Sequence, residues 1–247
     1  SHLHGNKYEL GKEELFHADM LGFAPGPALA RAGYVVLCID AYGFGERQHH
    51  GPLGLEESGV ATEQALFKHF VWQGSTLWGM MLRDDLLALN YLVSRPEVDA
   101  SRIGATGMSM GGSRTTWLAA LDDRVRALCP IAQMTRYADF AASGRYNLHG
   151  IYYYVPGVLA SGIDMENLVS LAAPRAQCIL IGDDDPLSPI DGVRRVIDEA
   201  RSVYAALGAE AAFEAHIYPG LGHRYTPEMF ATMLTFMNRQ LQPSTQA

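Results

Sequence analysis

Five apolar runs of strand length are separated by segments of helical periodicity in this 247-residue chain, and that alternation leaves few architectures open. The runs are "GYVVLCIDAYG", "SRIGATG", "RALCPIAQ", "AQCILIGDDD" and "AAFEAHIYPG". A strand covered on both faces reads as a continuous apolar, β-branched run rather than as strict alternation. Between the runs, "LWGMMLRDDLLALNYLVSR" repeats apolar residues at three- and four-residue spacing and stops before Pro96. "GVRRVIDEARSVYAALG" does the same and ends at Gly208, where a helix favours a residue that tolerates positive φ. "PEMFATMLTFMNRQL" supplies a closing helix. Strands and helices in this order predict an α/β fold: a mostly parallel sheet flanked by helices, built as one domain over residues 1–247.

Two stretches break the alternation. Residues 43–76 form a long connection rich in Gly, His and aromatics, and residues 134–173 contain "NLHGIYYYVPGVLASG". Connections of that length carry function or fold separately, and 134–173 reads as a cap or pocket insertion. Its Tyr152, Tyr153 and Tyr154, with Trp72 or Trp78, are candidate walls of an apolar substrate pocket. Taken singly, each is an ordinary core aromatic.

Charge and cysteine usage exclude several classes of function. A formal charge of −8 without a long Lys/Arg run argues against nucleic acid or an anionic membrane surface as partner. The longest apolar stretches fall well short of the roughly 20 residues that a spanning helix needs. Cys38, Cys129 and Cys178 each sit inside an apolar run, which suits buried thiols in a reducing, cytoplasmic setting. They lack CxxC spacing, so no metal site is expected, and no metal or organic cofactor is required. His49 and His50 read as a solvated loop, and His216 as a structural residue of the last strand.

Gly107-Met108-Ser109-Met110-Gly111 follows a strand pattern and opens a helical one. A serine at a sharp strand-to-helix turn is lifted above the sheet, and residues without a Cβ on either side let strand and helix approach closely. The N–H of Met110, at the start of the helix, is placed to stabilise an oxyanion. Ser113, one turn on, reads as a packing serine.

A serine nucleophile needs a base, and the base needs an orienting acid. On sheets of this kind both follow the serine, in the order acid and then histidine. "LIGDDDPLSP" offers Asp183, Asp184 and Asp185, and "YPGLGHRY" offers His223, each just past a strand. Composition alone does not choose among the three aspartates.

These residues resemble the α/β-hydrolase superfamily, and more closely its dienelactone-hydrolase-like and acetyl-xylan-esterase-like serine esterases. The resemblance runs through nearly the whole chain, from "HLHGNKYELGKEEL" through "RIGATGMSMGG" to "YPGLGHRY". It implies Ser109 as nucleophile, His223 as base and Asp185 as acid, since Gly182 to Pro189 looks like the family's acid loop. It also implies the amide of Asn6, after His4-Gly5, as the second oxyanion donor. Dienelactone hydrolases proper attack with cysteine, so a serine here favours ordinary ester cleavage through an acyl-enzyme, with a small-molecule ester as substrate. The runners-up are a thioesterase or peptidase with the same triad, and a non-catalytic remnant.

In that superfamily the strand entering His-Gly lies inside the sheet, and here only Ser1 to Leu3 stand before the pair. The resemblance therefore leads to the expectation of an N-terminally truncated chain whose exposed strand edges rearrange or pair in a homodimer.

Overall fold

The computed structural model describes residues 10–16, 20–48, 59–133 and 135–242. His4, Gly5, Asn6, His49 and His50 lie outside them. The chain forms two compact units, Ser1–Val98 with His149–Pro156, and Asp99–Leu148 with Gly157–Ala247.

The first unit contains helices α1 (Pro25–Arg31), α2 (Val60–Trp72) and α3 (Leu77–Val93). The Thr76 side chain caps α3 by accepting the Gly79 amide at 2.9 Å, which satisfies one of the amides that every helix start leaves over. The apolar face of α3 buries Leu77, Trp78, Met81, Leu82 and Leu89. Part of the long connection at 43–76, residues 60–72, is thus helical. The buried Glu63 of α2 accepts the Ile151 amide at 2.6 Å and ties the 149–156 segment into this unit. The buried Asp40 carboxylate accepts the Lys12 amide at 2.8 Å, the Lys12 ammonium at 3.0 Å and the Glu46 amide at 3.2 Å.

One expected strand is corrected here. Tyr34–Asp40 has no strand assignment, and Val35 and Leu37 are 49% and 38% exposed. Cys38 in the same run is exposed, whereas Cys129 and Cys178 are buried as expected. A β-branched apolar run has strand propensity, but it becomes a strand only where a neighbouring backbone completes its ladder.

The second unit holds a four-stranded sheet of β1 (Ile103–Met108), β2 (Val125–Ile131), β3 (Ala176–Gly182) and β4 (Phe213–Tyr218). The strands lie in the order β1-β2-β3-β4 and every pairing is parallel. All seven residues of β3 are buried, which explains a sequence that is small or apolar at every position but Gln177. The unit's helices are α4 (Met110–Leu121), α5 (Tyr137–Ser143), α6 (Met165–Ser170), α7 (Ile190–Ala206) and α8 (Pro227–Leu241).

α7 buries Val193, Val196, Ile197, Ala200 and Tyr204 at three- and four-residue spacing. It ends before Gly208, whose φ of +65° is the left-handed conformation expected there. The Asp164 carboxylate serves two helices at once. It accepts the Met165 amide at 2.7 Å at the start of α6, and the Tyr137 and Ala138 amides at 2.5 and 3.0 Å at the start of α5. Among the described residues no helix is long and apolar enough to cross a membrane.

Candidate active site

Ser109 stands between the last residue of β1 and the first of α4, with φ +57° and ψ −117°. A non-glycine residue at positive φ costs about 1–3 kcal/mol and persists only where its surroundings impose it. Here the Ser109 amide donates to the Ile131 carbonyl at the end of β2 at 2.8 Å, and the Ser113 amide donates back to the Ser109 carbonyl at 2.9 Å. These bonds hold the turn from both sides, with Ser113 fully buried.

The glycines around the serine divide their work differently from the sequence expectation. A Cβ on Gly107 would lie 2.6 Å from the Gly111 carbonyl carbon and oxygen, so strand and helix do meet there. A Cβ on Gly111 would meet nothing within 4 Å, whereas one on Gly112 would lie 2.6 Å from the Ile131 carbonyl oxygen. The close approach on the helical side therefore belongs to Gly112. The motif's second glycine is required by neither space nor φ in this structure.

His223 lies in the loop after β4, and its Nε2 is 2.9 Å from Ser109 Oγ. Its Nδ1 is 2.7 Å from Asp185 Oδ2. A carboxylate accepts, so Nδ1 carries the proton and Nε2 turns its lone pair toward the serine. The histidine side chain is 16% exposed and the Asp185 side chain is fully buried. The other Asp185 oxygen accepts the Leu187 amide at 2.9 Å, so both oxygens of this buried group are hydrogen-bonded. Ser188, three residues on, donates its hydroxyl to the Gln133 carbonyl at 2.8 Å and anchors the acid loop to the end of β2.

The structure separates the three aspartates that composition leaves equivalent. Asp185 faces the imidazole. Asp183 accepts the Gly220 amide at 2.7 Å, bracing the loop that carries His223, and Asp184 is exposed while its amide donates to the Leu221 carbonyl at 3.1 Å. Sequence reasoning used Gly182, the last residue of β3, only as the start of the acid loop and missed its packing role. A Cβ there would lie 1.9 Å from the Leu221 carbonyl oxygen, so the histidine loop rests on a bare backbone. Its only sequence signal is a glycine closing an apolar run just before the acids. Gly182→Ala is expected to displace the loop and lower kcat on the order of 10²-fold, with a lower melting temperature. Unchanged turnover in that variant would show that the loop has room to give.

Met110 opens α4, where the first amides have no partner within the helix, so its N–H is available beside Ser109. Asn6, the other expected oxyanion donor, lies outside the described residues. A cleft of about 450 Å³ beside the acid loop is lined by Ser143, Arg145, Asp183, Asp184, Asp185 and Pro186, among others.

The aromatic candidates fall in the first unit. Trp72 is 94% exposed and walls no enclosed pocket, which corrects that expectation. Trp78, Tyr152 and Tyr153 are buried against one another, with ring centroids 6.1 Å apart for Trp78–Tyr152, 5.1 Å for Trp78–Tyr153 and 4.6 Å for Tyr152–Tyr153. That is core packing, and the half-buried Tyr154 adjoins it in sequence.

A parallel sheet flanked by helices, with a serine elbow at the end of one strand, defines the α/β-hydrolase class. Residues 68–244 match the prolyl oligopeptidase family, Peptidase_S9. The chain is 36% identical over 242 residues to the Bacillus subtilis (strain 168) protein named "Putative hydrolase YtaP", covering 97% of this chain and 77% of that protein. The chain belongs to the prolyl oligopeptidase family and is a hydrolase.

Among solved structures it resembles Methylesterase BT1017 at 25% identity and a TM-score of 0.55, over 66% of this chain and 35% of that one. The chain thus spans about a third of the methylesterase's length. It shares its fold with TT1662 from Thermus thermophilus at 18% identity and a TM-score of 0.63, over 89% and 82% of the two chains.

Proposed function

We propose that this protein hydrolyses carboxylic esters through an acyl-enzyme on Ser109, with His223 as base and Asp185 as its orienting acid. The observation that carries this reading is the continuous line of hydrogen bonds from Ser109 Oγ to His223 at 2.9 Å and from His223 to Asp185 at 2.7 Å. As Oγ attacks the ester carbonyl, its proton passes to Nε2. Asp185 holds the ring and stabilises the imidazolium that forms.

The Met110 amide, at the start of α4, receives the oxyanion. The imidazolium then protonates the leaving alcohol. Water attacks the acyl-serine by the reverse route, with Nε2 again accepting the proton.

The likeness to a methylesterase supports an ester as the substrate. Peptide cleavage is the second reading, favoured by the family to which residues 68–244 belong. The two separate on p-nitrophenyl esters of rising acyl length set against p-nitroanilides of proline and other residues. Ester turnover is expected to exceed amide turnover by at least about a hundredfold. An attacking oxygen expels a phenolate with little help from a proton, whereas an amine leaves only when protonated in register with bond breaking. Equal or faster amide cleavage would assign the site to peptides.

A further inference from the structure

A second set of reactive side chains lies on the sheet, unused by the mechanism above. Cys178 on β3 stands directly opposite Glu214 on β4 in the parallel register. His216, two residues further along β4, returns to the same face as Glu214. One ligand atom from each of the three residues lies within 4.8 Å of the others.

The spacing suits a small tetrahedral cation. Two donors bound tetrahedrally at about 2.0–2.3 Å are separated by about 1.6 bond lengths, or about 3.3–3.7 Å. Glu214 Oε2 and His216 Nε2 already stand 3.6 Å apart. Glu214 uses its other oxygen, Oε1, for Arg239 in the last turn of α8, which steadies the carboxylate and leaves Oε2 toward the imidazole.

The third donor comes from below. Cys178 is fully buried, Glu214 is half-buried and His216 is exposed, so the cluster is open on the imidazole side and floored by sulfur. The Cys129 thiol, on β2, adjoins that of Cys178. Thiolate, imidazole and carboxylate together suit zinc-type cations. An all-oxygen set would be needed for magnesium or calcium.

We propose that Cys178, Glu214 and His216 bind one thiophilic divalent cation of the zinc type, clipping the edge strand β4 to β3. Binding replaces the Cys178 S–H bond with an S–metal bond and releases one proton to solvent. The thiolate and the carboxylate then balance the charge of the cation. The clip lies on the strand that leads, through Tyr218, into the loop bearing His223.

Cobalt(II) titration of the full chain, after chelator treatment and dialysis, tests this by spectrum rather than by activity. A near-ultraviolet thiolate-to-cobalt band and visible tetrahedral bands should saturate together at one equivalent, and zinc should abolish both. Cys178→Ser should remove the near-ultraviolet band, while Cys38→Ser, which changes an exposed thiol, should leave it intact. His216→Ala alters an exposed position, keeps the fold checkable by circular dichroism, and should weaken cobalt binding at least tenfold. No thiolate band in the wild type, an undiminished band in Cys178→Ser, or unaltered affinity in His216→Ala would each overturn the proposal.

Discussion

Ser109→Ala should lower ester turnover by about 10⁵- to 10⁶-fold while leaving the circular dichroism spectrum and melting temperature close to wild type. In the proposed mechanism the serine, the imidazole and the carboxylate act as one unit, so removing the nucleophile forfeits what the other two contribute. Stability should hold because the Ser109 side chain accepts no capping bond from α4, whereas its backbone makes the bonds that hold the elbow. Its positive φ of +57° is tolerated no better by alanine, so a small decrease in stability is the expected direction. A variant that keeps more than about a hundredth of wild-type turnover would mean that another group attacks the ester.

Asp185→Asn is expected to reduce kcat about 10⁴-fold, with little effect on KM. An asparagine at this position can present an N–H where the imidazole needs an acceptor. The ring then settles in the tautomer whose Nε2 carries a proton and cannot accept one from Ser109. Asp183→Asn and Asp184→Asn should each stay within about tenfold of wild type. Asparagine at 183 retains a carbonyl oxygen for the Gly220 amide, and residue 184 is exposed. Parallel steady-state kinetics on the three variants measure the difference, and equal losses would remove Asp185 from its assigned role.

Much of the second unit was legible in the chain because its signals are local. The strand-like runs ending at Met108, Ile131, Gly182 and Tyr218 are mostly small or apolar, and each is followed by a turn or helix signal in sequence. Pro96, Gly208 and Pro227 mark helix boundaries by their own backbone chemistry. The candidate site was legible for the same reason. A glycine-flanked serine, an aspartate before a proline and a histidine in a late glycine-rich loop each follow a strand, and parallel strands deliver their carboxyl ends to one rim.

What escaped the sequence depends on partners far away in the chain. "YVVLCID" has the composition of a strand, yet no run of residues reports whether a neighbouring backbone completes its ladder. Trp72 falls in the long connection and Trp78 in an apolar helical pattern, and only the packing makes the one 94% exposed and the other 1%. Composition leaves Asp183, Asp184 and Asp185 equivalent; the likeness to the family's acid loop points to Asp185, and His223, 38 positions later, lies against that carboxylate. Gly112 and Gly182 matter through backbone atoms of Ile131 and Leu221, which no spacing rule links to them. Cys178 and His216 look like two unrelated core and surface residues until the register of β3 and β4 sets them beside Glu214.

The nucleophile itself can be observed directly. Treatment of the full chain with a fluorophosphonate, followed by intact-mass and peptide mass spectrometry, should show one phosphonyl adduct, located on Ser109. The adduct should be absent from Ser109→Ala and strongly slowed in His223→Ala. An unlabelled wild type, or an adduct that persists when Ser109 is alanine, would contradict the assignment of this serine as the attacking group.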